Sequence, residues 1–493
     1  MLQSPIPELI LVLFGIAVLL ITIYTFGEFH LVYFVVTKKK KKRFQPALPS
    51  YIRDELPKVT VQLPMYNERY VAEAVIDSCA VLDYPRDKFE IQVVDDSNDE
   101  TVEIVDKRVA YWKEQGINIE VFRREERKGY KAGALKDAIP FASGEFLAVF
   151  DADFRPNQDF LLKSIPYFQD EKVGIVQGRW GHLNRDYSTL TRAQSLFLDM
   201  FFMIEQHARS LAGYYLRFNG SGGIWRKSCI EDAGGWSDDT ISEDLDLVFR
   251  AQLKDWKVIY DDSLEVPAEV PINLLDFKAQ QYRWSKGKAQ VIKKLSGKLL
   301  KKKMPFLNKL HVFFDLYNIF VIPALVLIAL LSIPITFLII ETDVYNKYLA
   351  WGTIGLLNII IPPWFAWLVL RRYNATKWKT FLDVVKSIFP LAFLLLGITL
   401  TQLVSIFDAY FTNNKVFHRT SKYNIVGKEG SAKGKIYAPR KISPITYLEG
   451  LFVLYYSWAI YLDITYSTFG FLHFHIILVI SFAYVFVNSF KRA

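Results

Sequence analysis

Residues 145–153 have the sequence EFLAVFDAD, in which five consecutive apolar residues are followed by two aspartates separated by one alanine. A short apolar run of this kind, bounded by polar residues, is typical of a buried strand in a parallel sheet. Similar runs precede it, and the predicted strands cover 59–63, 90–95, 118–122 and 145–151. Helical patterns fill 69–81, 99–115 and 129–139. This alternation predicts an α/β domain with a largely parallel sheet.

Polar side chains follow three of these strands at the point where each strand ends. They are Asn67 and Glu68, Asp95 and Asp96, and Asp151 and Asp153. In sheets of this type ligands bind outside the carboxyl ends of the strands, so these side chains predict a nucleotide site there. No GxGxxG or GxxxxGK[ST] run follows any of the strands, which disfavours a dinucleotide or P-loop site.

Asp151 and Asp153 are candidate ligands of a hard divalent cation, Mg2+ or Mn2+. Two carboxylates two residues apart at a strand end can share such a cation with the oxygens of a diphosphate. The cation would neutralise a departing nucleotide diphosphate. The alternative interpretation is a strand-terminal turn with two solvated aspartates, and the spacing alone does not exclude it.

Residues 241–244, ISED, stand before an apolar helical pattern that begins at Leu245. Ser242 is suited to cap the helix, and acids in a first helical turn are favoured by the helix dipole. A carboxylate held there could also deprotonate an acceptor hydroxyl that attacks the anomeric carbon of a sugar. Asp244 is the stronger candidate for this base, and Asp246 is a weaker candidate on the predicted helix surface.

Residues 280–284, QQYRW, place Gln280, Arg283 and Trp284 on neighbouring faces of a helix. The forked donors of Arg283 suit a phosphate, and the ring of Trp284 suits the apolar face of an acceptor sugar. An amphipathic interfacial helix that continues through Lys286 and Lys288 would explain the same residues. The pentapeptide alone leaves both interpretations open.

Several apolar stretches are close to the roughly 20 residues that span the hydrocarbon of a bilayer. They lie near 8–36, 311–340, 347–370, 382–411, 446–465 and 467–488. The first is followed by basic residues and lacks a small-residue cleavage site, so we interpret it as a retained anchor. The expected organisation is an anchor with its basic flank at 1–43, a cytosolic domain at 44–300 and a membrane domain at 301–493.

The formal net charge of +9 is concentrated beside apolar stretches, within Lys38–Arg43, Lys298–Lys303 and Lys415–Lys441. Basic runs in these places indicate cytosolic loops and contact with membrane lipids rather than with nucleic acid. If every apolar stretch crossed the membrane once, the basic loop 412–445 would face outside, against the positive-inside rule. We therefore expect 382–411, which Pro390 interrupts, not to cross.

Together the motifs resemble the processive family-2 glycosyltransferases: cellulose, hyaluronan and chitin synthases, and especially the plant cellulose-synthase-like mannan and glucan synthases. The resemblance spans about residues 55–300 and keeps the order of the motifs in that family. The motifs are VQLPMYNE at 61–68, VVDDSNDET at 93–101, RKGYKAGAL at 127–135, DAD at 151–153, FNGSGGIWR at 218–226, ISED at 241–244 and QQYRW at 280–284.

The resemblance implies a GT-A-like nucleotide-diphospho-sugar transferase fold, joined to a multi-span helical membrane domain. It implies that the nucleotide contacts Asp95, Asp96, Lys131 and Asp151. It further implies that Asp153 holds Mg2+ or Mn2+ and that Asp244 is the base. The residues assigned to diphosphate and acceptor are Gln280, Arg283 and Trp284, with Gly220 and Ser221 in a turn near the sugar.

Residues 417–422 are similar to the Phe-x-Val-Thr-x-Lys gating segment of the same family, with Arg419 where Val is usual. The similarity implies that Thr420 and Lys422 take part in gating and that this loop is cytosolic. A lipid-facing basic loop is the alternative interpretation.

The expected activity is inverting transfer of a hexose from a nucleotide diphosphate sugar to a growing β-linked polysaccharide, coupled to export, in the plasma membrane. UDP-glucose is the first candidate donor and GDP-mannose the second. A non-processive enzyme that glycosylates a lipid acceptor would share the fold, the metal and the base, and it is the main alternative. A transporter or receptor with a non-catalytic domain is a second alternative.

Overall fold

The computed structural model of the chain describes residues 6–37, 56–341, 357–412, 419–435, 437 and 441–491. The predicted basic run Lys38–Arg43 lies outside these residues, as do Phe417 and His418 of the gating-like segment. The apolar stretch 347–370 is described only from residue 357 onward.

A seven-stranded sheet forms the centre of the described α/β domain. Its strands are β1 (Val59–Met65), β2 (Phe89–Asp95), β3 (Ile119–Phe122), β4 (Phe146–Val149), β5 (Val173–His182), β6 (Gly223–Arg226) and β7 (Lys257–Ala268). The order is β3-β2-β1-β4-β6-β5-β7, with β1 parallel to both β2 and β4, and β6 antiparallel to its two neighbours. The four predicted strands and the largely parallel sheet are confirmed.

Helices connect the strands and continue beyond the sheet. Those of the α/β domain are α2 (Ala72–Ala80), α3 (Thr101–Glu114), α4 (Tyr130–Ala138), α5 (Phe160–Ser164), α6 (Thr189–Met200), α7 (His207–Ala212), α8 (Lys227–Asp232), α9 (Glu243–Leu253) and α10 (Leu274–Lys301). The apolar or C-terminal helices are α1 (Ile6–Thr37), α11 (Phe306–Tyr317), α12 (Val321–Glu341), α13 (Leu357–Tyr373), α14 (Lys377–Gly397), α15 (Thr399–Phe411), α16 (Pro444–Thr465) and α17 (Leu472–Asn488).

The sheet is buried on both faces, as its continuous apolar strands predict. Val75 of α2 and Val105 of α3 belong to the apolar cluster on one face. Val248 of α9 and Leu295 of α10 belong to the cluster on the other face. Because helices cover both faces, polar side chains gather at the carboxyl edge of the parallel strands. The strand order changes direction between β1 and β4, and ligands bind at such a point in α/β sheets.

By length and apolar composition, three segments among the described residues could cross a membrane: Ile6–Thr37, Phe306–Leu338 and Lys377–Gly397. The first coincides with the predicted anchor. The predicted stretch 382–411 is divided into α14 and α15 at Ile398, and α14 is itself long and apolar enough to cross. The expectation that the whole stretch stays out of the membrane therefore receives no support from helix length, and it stays a prediction.

Helix α10 joins the α/β domain to the apolar helices through buried polar contacts. The Lys278 ammonium pairs with Glu449 of α16 at 2.8 Å, and both side chains are buried. About two turns further along α10, the Lys286 ammonium lies 2.5 Å from Asp408 of α15. The helix that carries the QQYRW motif is thus held by partners on two of the C-terminal helices.

Candidate active site

A cleft opens at the carboxyl ends of β1, β2 and β4. Its walls come from the loops after these strands, from the start of α9, from α10 and from the basic loop after α15. The predicted site residues that line it are Asp96, Lys131, Asp151, Asp153, Gly220, Asp244, Gln280, Arg283, Trp284, Thr420 and Lys422. Motifs that are far apart in sequence therefore meet in one place.

Two predicted site residues, Asp95 and Ser221, lie behind the wall of the cleft. Asp95 ends β2 and is buried, and its carboxylate accepts from the Ser97 backbone N–H at 3.0 Å and pairs with Arg123 at 3.0 Å. The buried Ser221 hydroxyl accepts from the backbone N–H of Asp151 at 2.9 Å. These positions differ from the predicted ligand contacts, because both side chains shape the loops that carry other site residues.

The Lys131 ammonium connects the first aspartate of the DAD motif to the predicted base. It donates to Asp151 Oδ1 at 2.5 Å and to the Gly220 carbonyl at 2.8 Å. Gly220 has φ +84°, and a Cβ built there would lie 3.0 Å from Asp244 Oδ2. Burial acts to lower the pKa of Lys131, but Asp151, Glu243 and Asp244 raise it above its usual value. Lys131 is therefore a cation between two acidic positions.

Two adjacent carboxylates begin α9, as the ISED motif predicts. Burial raises the pKa of Asp244 to about 6, and the Lys131 ammonium acts in the opposite direction. Burial, together with the neighbouring Asp244, raises the pKa of Glu243 to about 7. A carboxyl group that ionises close to neutral pH can act as a general base there. Ser242 occupies the position before the helix, although its side chain accepts no capping hydrogen bond.

Asp246, which was the weaker candidate base, is buried rather than on the helix surface. Its carboxylate pairs with Arg250 and with Lys294, each at 2.8 Å. It does not line the cleft. The structure therefore gives Asp246 a role in holding α9 rather than in contacting a ligand.

The basic loop reaches the second aspartate of the DAD motif. The Lys422 ammonium donates to Asp153 Oδ2 at 2.6 Å and to the Glu269 carbonyl at 2.7 Å. The Glu269 carboxylate in turn accepts from the backbone N–H of Tyr423 at 3.0 Å. The loop therefore lies over the candidate cation ligands, with Thr420 also in the cleft wall.

A second ion pair holds the same loop on the loop that follows β1. Arg419 lies 3.1 Å from Glu68 Oε2, the last residue of the VQLPMYNE motif. Burial raises the pKa of Glu68 to about 8, and Arg419 opposes that shift. Arg419 therefore has a defined partner at the position where the similar gating segment usually has Val.

The QQYRW motif on α10, which was predicted to bind diphosphate and acceptor, faces the cleft. Gln280, Arg283 and Trp284 are half-buried and line its wall. A Cβ at Gly287 would lie 2.0 Å from Ser242 Oγ, so α10 packs directly against the start of α9. This close approach brings the acceptor motif beside Asp244.

The opposite end of the cleft, near β2, is rich in arginine and tyrosine. The carboxylate of Asp96 accepts from Arg124 Nε at 3.1 Å and from Nη2 at 2.5 Å. The Arg127 guanidinium carbon lies 3.4 Å from the centroid of the Tyr66 ring. Tyr66, Asp96 and Arg127 all line the cleft.

Sequence reasoning assigned no role to Glu269, Glu243, Arg127 or Tyr66. Glu243, Tyr66 and Arg127 lie inside motifs that were recognised, and their place in these motifs was the available signal. Glu269 lies in no such motif, and its contacts join residues more than a hundred positions apart. Only the folded chain reveals that contact.

The DAD carboxylates fit a divalent cation that is shared with a ligand. No group of three or more His, Cys, Asp or Glu side chains that could enclose a metal occurs in the described part of the chain. Asp151 and Asp153 offer hard oxygen ligands in the cleft. Each carboxylate contacts a lysine ammonium, so the surroundings of both carboxylates accommodate a positive charge. Mg2+ typically binds through one or two carboxylates together with phosphate oxygens, which is the arrangement these residues allow.

Comparisons with known proteins agree with this geometry. The model of "Glycosyl transferase family 2" matches residues 60–228, and that of "Glycosyl transferase family group 2" matches 146–340. Probable glucomannan 4-beta-mannosyltransferase 11 of Oryza sativa subsp. japonica is 39% identical over 325 residues, and glucomannan 4-beta-mannosyltransferase 9 of Arabidopsis thaliana is 38% identical over 316. Each alignment covers 62% of this chain, and this chain spans 57% and 58% of those relatives.

Among solved structures, a mannosyltransferase from Pyrobaculum calidifontis in complex with GDP-Man and Mn2+ aligns with 71% of this chain and 97% of its own, with 24% identity and a TM-score of 0.49. The matched models cover the sheet, the DAD motif, the ISED motif and α10, which build the cleft together with the basic loop, a segment outside the matches. Over residues 60–340 the chain is similar to glycosyl transferase family 2, to which both matched models belong.

Proposed function

We propose that this protein is an inverting β-mannosyltransferase that transfers mannose from GDP-mannose to a growing β-linked polysaccharide. The observation that carries the proposal is the single cleft in which Asp244 lies beside the acceptor motif of α10 while Asp151 and Asp153 occupy the neighbouring strand end. The similarity to proteins named glucomannan 4-beta-mannosyltransferases supports mannose as the sugar, so we propose GDP-mannose rather than UDP-glucose as the donor, the reverse of the order expected from the motifs alone.

In the proposed reaction Asp244 accepts the proton of an acceptor hydroxyl as that oxygen forms a bond to the anomeric carbon of the donor sugar. The bond between this carbon and the diphosphate oxygen breaks, and its electron pair leaves with the nucleoside diphosphate. Attack opposite to the leaving group inverts the anomeric centre, so one base is sufficient.

The leaving diphosphate needs positive charge close to it. Lys131 supplies one such charge next to Asp151, and the fork of Arg283 suits phosphate oxygens. Asp151 and Asp153 would hold Mg2+ or Mn2+, which when bound supplies electrostatic stabilisation of the developing negative charge. Trp284 would offer its ring to the acceptor sugar, which Gln280 can hydrogen-bond.

In the proposal Lys422 contacts Asp153 before ligands bind and the diphosphate after they bind. Its ammonium contacts Asp153 in the present structure, so its charge and a divalent cation would compete for that carboxylate. We propose that the basic loop moves when donor and cation enter and that Lys422 then serves the diphosphate. Thr420 and Lys422 would in this way gate the cleft.

Membrane attachment is part of the proposal. Lys298, Lys301 and Lys303 are exposed beside the exposed apolar side chains of Leu300 and Phe306. Such a mixed patch suits the interface of a bilayer that contains anionic lipid. We propose that the α/β domain faces the cytosol and that the chain resides in the plasma membrane.

The activity can be tested with purified protein in lipid nanodiscs, supplied separately with radiolabelled GDP-mannose, UDP-glucose and UDP-N-acetylglucosamine and with Mg2+ or Mn2+. We expect polymer from GDP-mannose that β-mannanase digests, with inverted configuration, and a strongly reduced yield of polymer from Asp244→Asn. A lipid-extractable product instead of polymer would favour the glycolipid alternative. Absence of transfer from every donor would contradict the proposal.

Coupled export requires a second experiment. Sealed vesicles with the α/β domain outside would receive donor outside, and the labelled polymer would then be treated with a hydrolase before and after addition of detergent. Polymer protected until detergent is added supports export through the membrane domain. Polymer digested before detergent would exclude coupling while leaving the transferase activity intact.

A further inference from the structure

Arg127 is an arginine in the cleft that forms no ion pair with an acid among the described residues. Its guanidinium lies on the ring of Tyr66, 3.4 Å from the centroid, and 4.8 Å from the centroid of Tyr130. Its Nε–H is buried and has no hydrogen-bond partner among the described residues. The neighbouring Arg124 differs, because it donates to Asp96 and also to Asp137.

Stacking on Tyr66 fixes the plane of the Arg127 guanidinium without using its donors. The N–H groups of a guanidinium point outward within its own plane, so a ring that covers one face leaves the edge free to bind a planar partner. Arg127 is therefore held in an orientation in which it can recognise a second flat group that has two adjacent acceptors.

Asp96 supplies complementary acceptors at the same end of the cleft. Met65 and Asp95 are register partners on β1 and β2, so Tyr66 and Asp96 follow at neighbouring strand ends. The two oxygens of Asp96 accept from Arg124, yet a carboxylate has about four acceptor sites and can accept further donors. A fork of donors and a pair of acceptors thus border one region.

This region is separate from the diphosphate end. β1, which leads to Tyr66, lies between β2, which leads to Asp96, and β4, which leads to Asp151 and Asp153. Asp96 and the DAD carboxylates are therefore on opposite sides of the end of β1. A nucleotide diphosphate that reaches the DAD carboxylates would place its base toward Tyr66, Asp96 and Arg127.

We propose that Arg127, held by Tyr66, and Asp96 together select guanine as the base of the nucleotide donor; this rests on the proposed function. Guanine presents adjacent acceptors at O6 and N7, which an arginine fork matches. Its N1–H and N2–H groups are adjacent donors, which a carboxylate matches. Uracil has one N–H between two carbonyl groups, and adenine carries an amino donor beside N7, so neither presents both pairs.

The proposal is tested by nucleotide binding to the full chain in nanodiscs, measured by calorimetry with GDP, 7-deaza-GDP, IDP and UDP at constant Mn2+. We expect GDP to bind on the order of tenfold more tightly than UDP, because one bidentate base contact is of that size. 7-Deaza-GDP, which lacks the N7 acceptor, and IDP, which lacks the N2 amino group, should each lose most of this advantage.

Arg127→Lys keeps the charge and removes the fork. It should lower the affinity for GDP by about tenfold, bring it close to that for 7-deaza-GDP, and leave the affinity for UDP nearly unchanged. Tyr66→Leu should act in the same direction and Tyr66→Phe should not, because Phe keeps the supporting ring. Arg192→Lys, an exposed arginine of α6, is the matched control.

Equal losses for GDP and UDP in Arg127→Lys would show that Arg127 binds phosphate or supports the fold, and the proposal would be wrong. Equal affinity of the unaltered protein for GDP and UDP would also overturn it. Either result is compatible with polymer synthesis from GDP-mannose, so the proposed function would survive. Conversely, selective GDP binding without mannose transfer would overturn the proposed function alone.

Discussion

The ammonium of Lys422 lies 2.6 Å from Oδ2 of Asp153, although 269 residues separate them in the chain. Both side chains are largely buried, with 12% and 7% exposed. The two charges of a buried ion pair attract each other more strongly than they would in water. The Lys422 ammonium must therefore be displaced before Asp153 can bind another cation.

Replacement of this lysine should therefore increase cation affinity. We expect Lys422→Met to bind Mn2+ in the absence of donor on the order of tenfold more tightly than the unaltered protein, because Asp153 no longer has a competing positive charge. Titration of the Mn2+ electron paramagnetic resonance signal measures this affinity. Lys433→Met, an exposed lysine of the same loop, controls for the general loss of charge. An unchanged affinity in Lys422→Met would show that the pair does not compete with the cation.

Loss of the cation ligand and loss of the base should be distinguishable. Asp153→Ala should abolish transfer and also weaken Mn2+-dependent nucleotide binding, because it removes a metal ligand. Asp244→Asn should lower transfer by roughly 10²–10⁴-fold while nucleotide binding persists, because only the proton acceptor is lost. Calorimetry with GDP and a radiolabel transfer assay provide the two readouts. Near-normal turnover in Asp244→Asn would contradict the assignment of the base.

The pH dependence of transfer should report the buried carboxyl pair of α9. Burial raises the pKa of Asp244 to about 6, and the base acts only when ionised. The value of kcat/KM should thus be level above this pKa and fall as the pH decreases through it, by about tenfold per pH unit. Because Glu243 is adjacent, the midpoint belongs to the pair rather than to one residue.

Lys131 allows this explanation of the pH profile to be checked. The Lys131 ammonium acts to lower the pKa of Asp244, so Lys131→Gln should shift the acidic limb of the profile to higher pH as well as lowering the rate. Lys136→Gln, an exposed lysine on the same helix, should leave the limb in place. An acidic limb that stays fixed in Lys131→Gln would mean that another group controls it.

The strand ends and their motifs could be predicted because local sequence determines them. Short runs rich in β-branched and other apolar residues predicted the four N-terminal strands, and parallel strands necessarily bring their carboxyl ends to one edge. The DAD motif and the polar residues after β1 and β2 therefore had to lie near each other once the sheet formed, whereas the position of the ISED motif at the start of α9 depends on how that helix packs. The motif on α10 joined them because Gly287 permits close packing against Ser242.

Other features depend on contacts between distant parts of the chain. Asp95 and Asp96 are equivalent in the sequence motif, yet side chains alternate along a strand, and only Asp96 faces the cleft. The contact of Glu269 with the basic loop has no local signature. The division of 382–411 into two helices at Ile398 was also not predicted, since both halves are similarly apolar.

The side of the membrane on which the basic loop lies can be determined by labelling. The backbone N–H of Gly427 donates to the Leu183 carbonyl at 2.7 Å, so the loop packs on the α/β domain. We therefore expect Lys433→Cys to be labelled by an impermeant maleimide from the same side as Lys107→Cys on α3. The native Cys79 and Cys229 are buried and would be replaced by Ala. Labelling of the two engineered cysteines from opposite sides would contradict this arrangement.

Asp408 of α15 holds α10 in position through two contacts. The Tyr282 hydroxyl and the Lys286 ammonium both donate to Asp408 Oδ2 at 2.5 Å. Arg283 and Trp284 lie between these two residues in the sequence and face the cleft. The membrane-domain helix therefore constrains the segment that carries the acceptor motif.

Removal of this carboxylate should affect acceptor use more than donor binding. We expect Asp408→Ala to lower the rate of polymer elongation by roughly tenfold to a hundredfold, because small displacements of a positioning group have effects of that size. GDP binding should remain close to normal, since Asp96 and Arg127 do not contact α15. Asp408→Glu, which keeps the charge, should recover part of the rate, whereas Glu429→Gln on the exposed basic loop should have no effect. Equal losses of GDP binding and elongation in Asp408→Ala would instead indicate that the whole cleft had lost its structure.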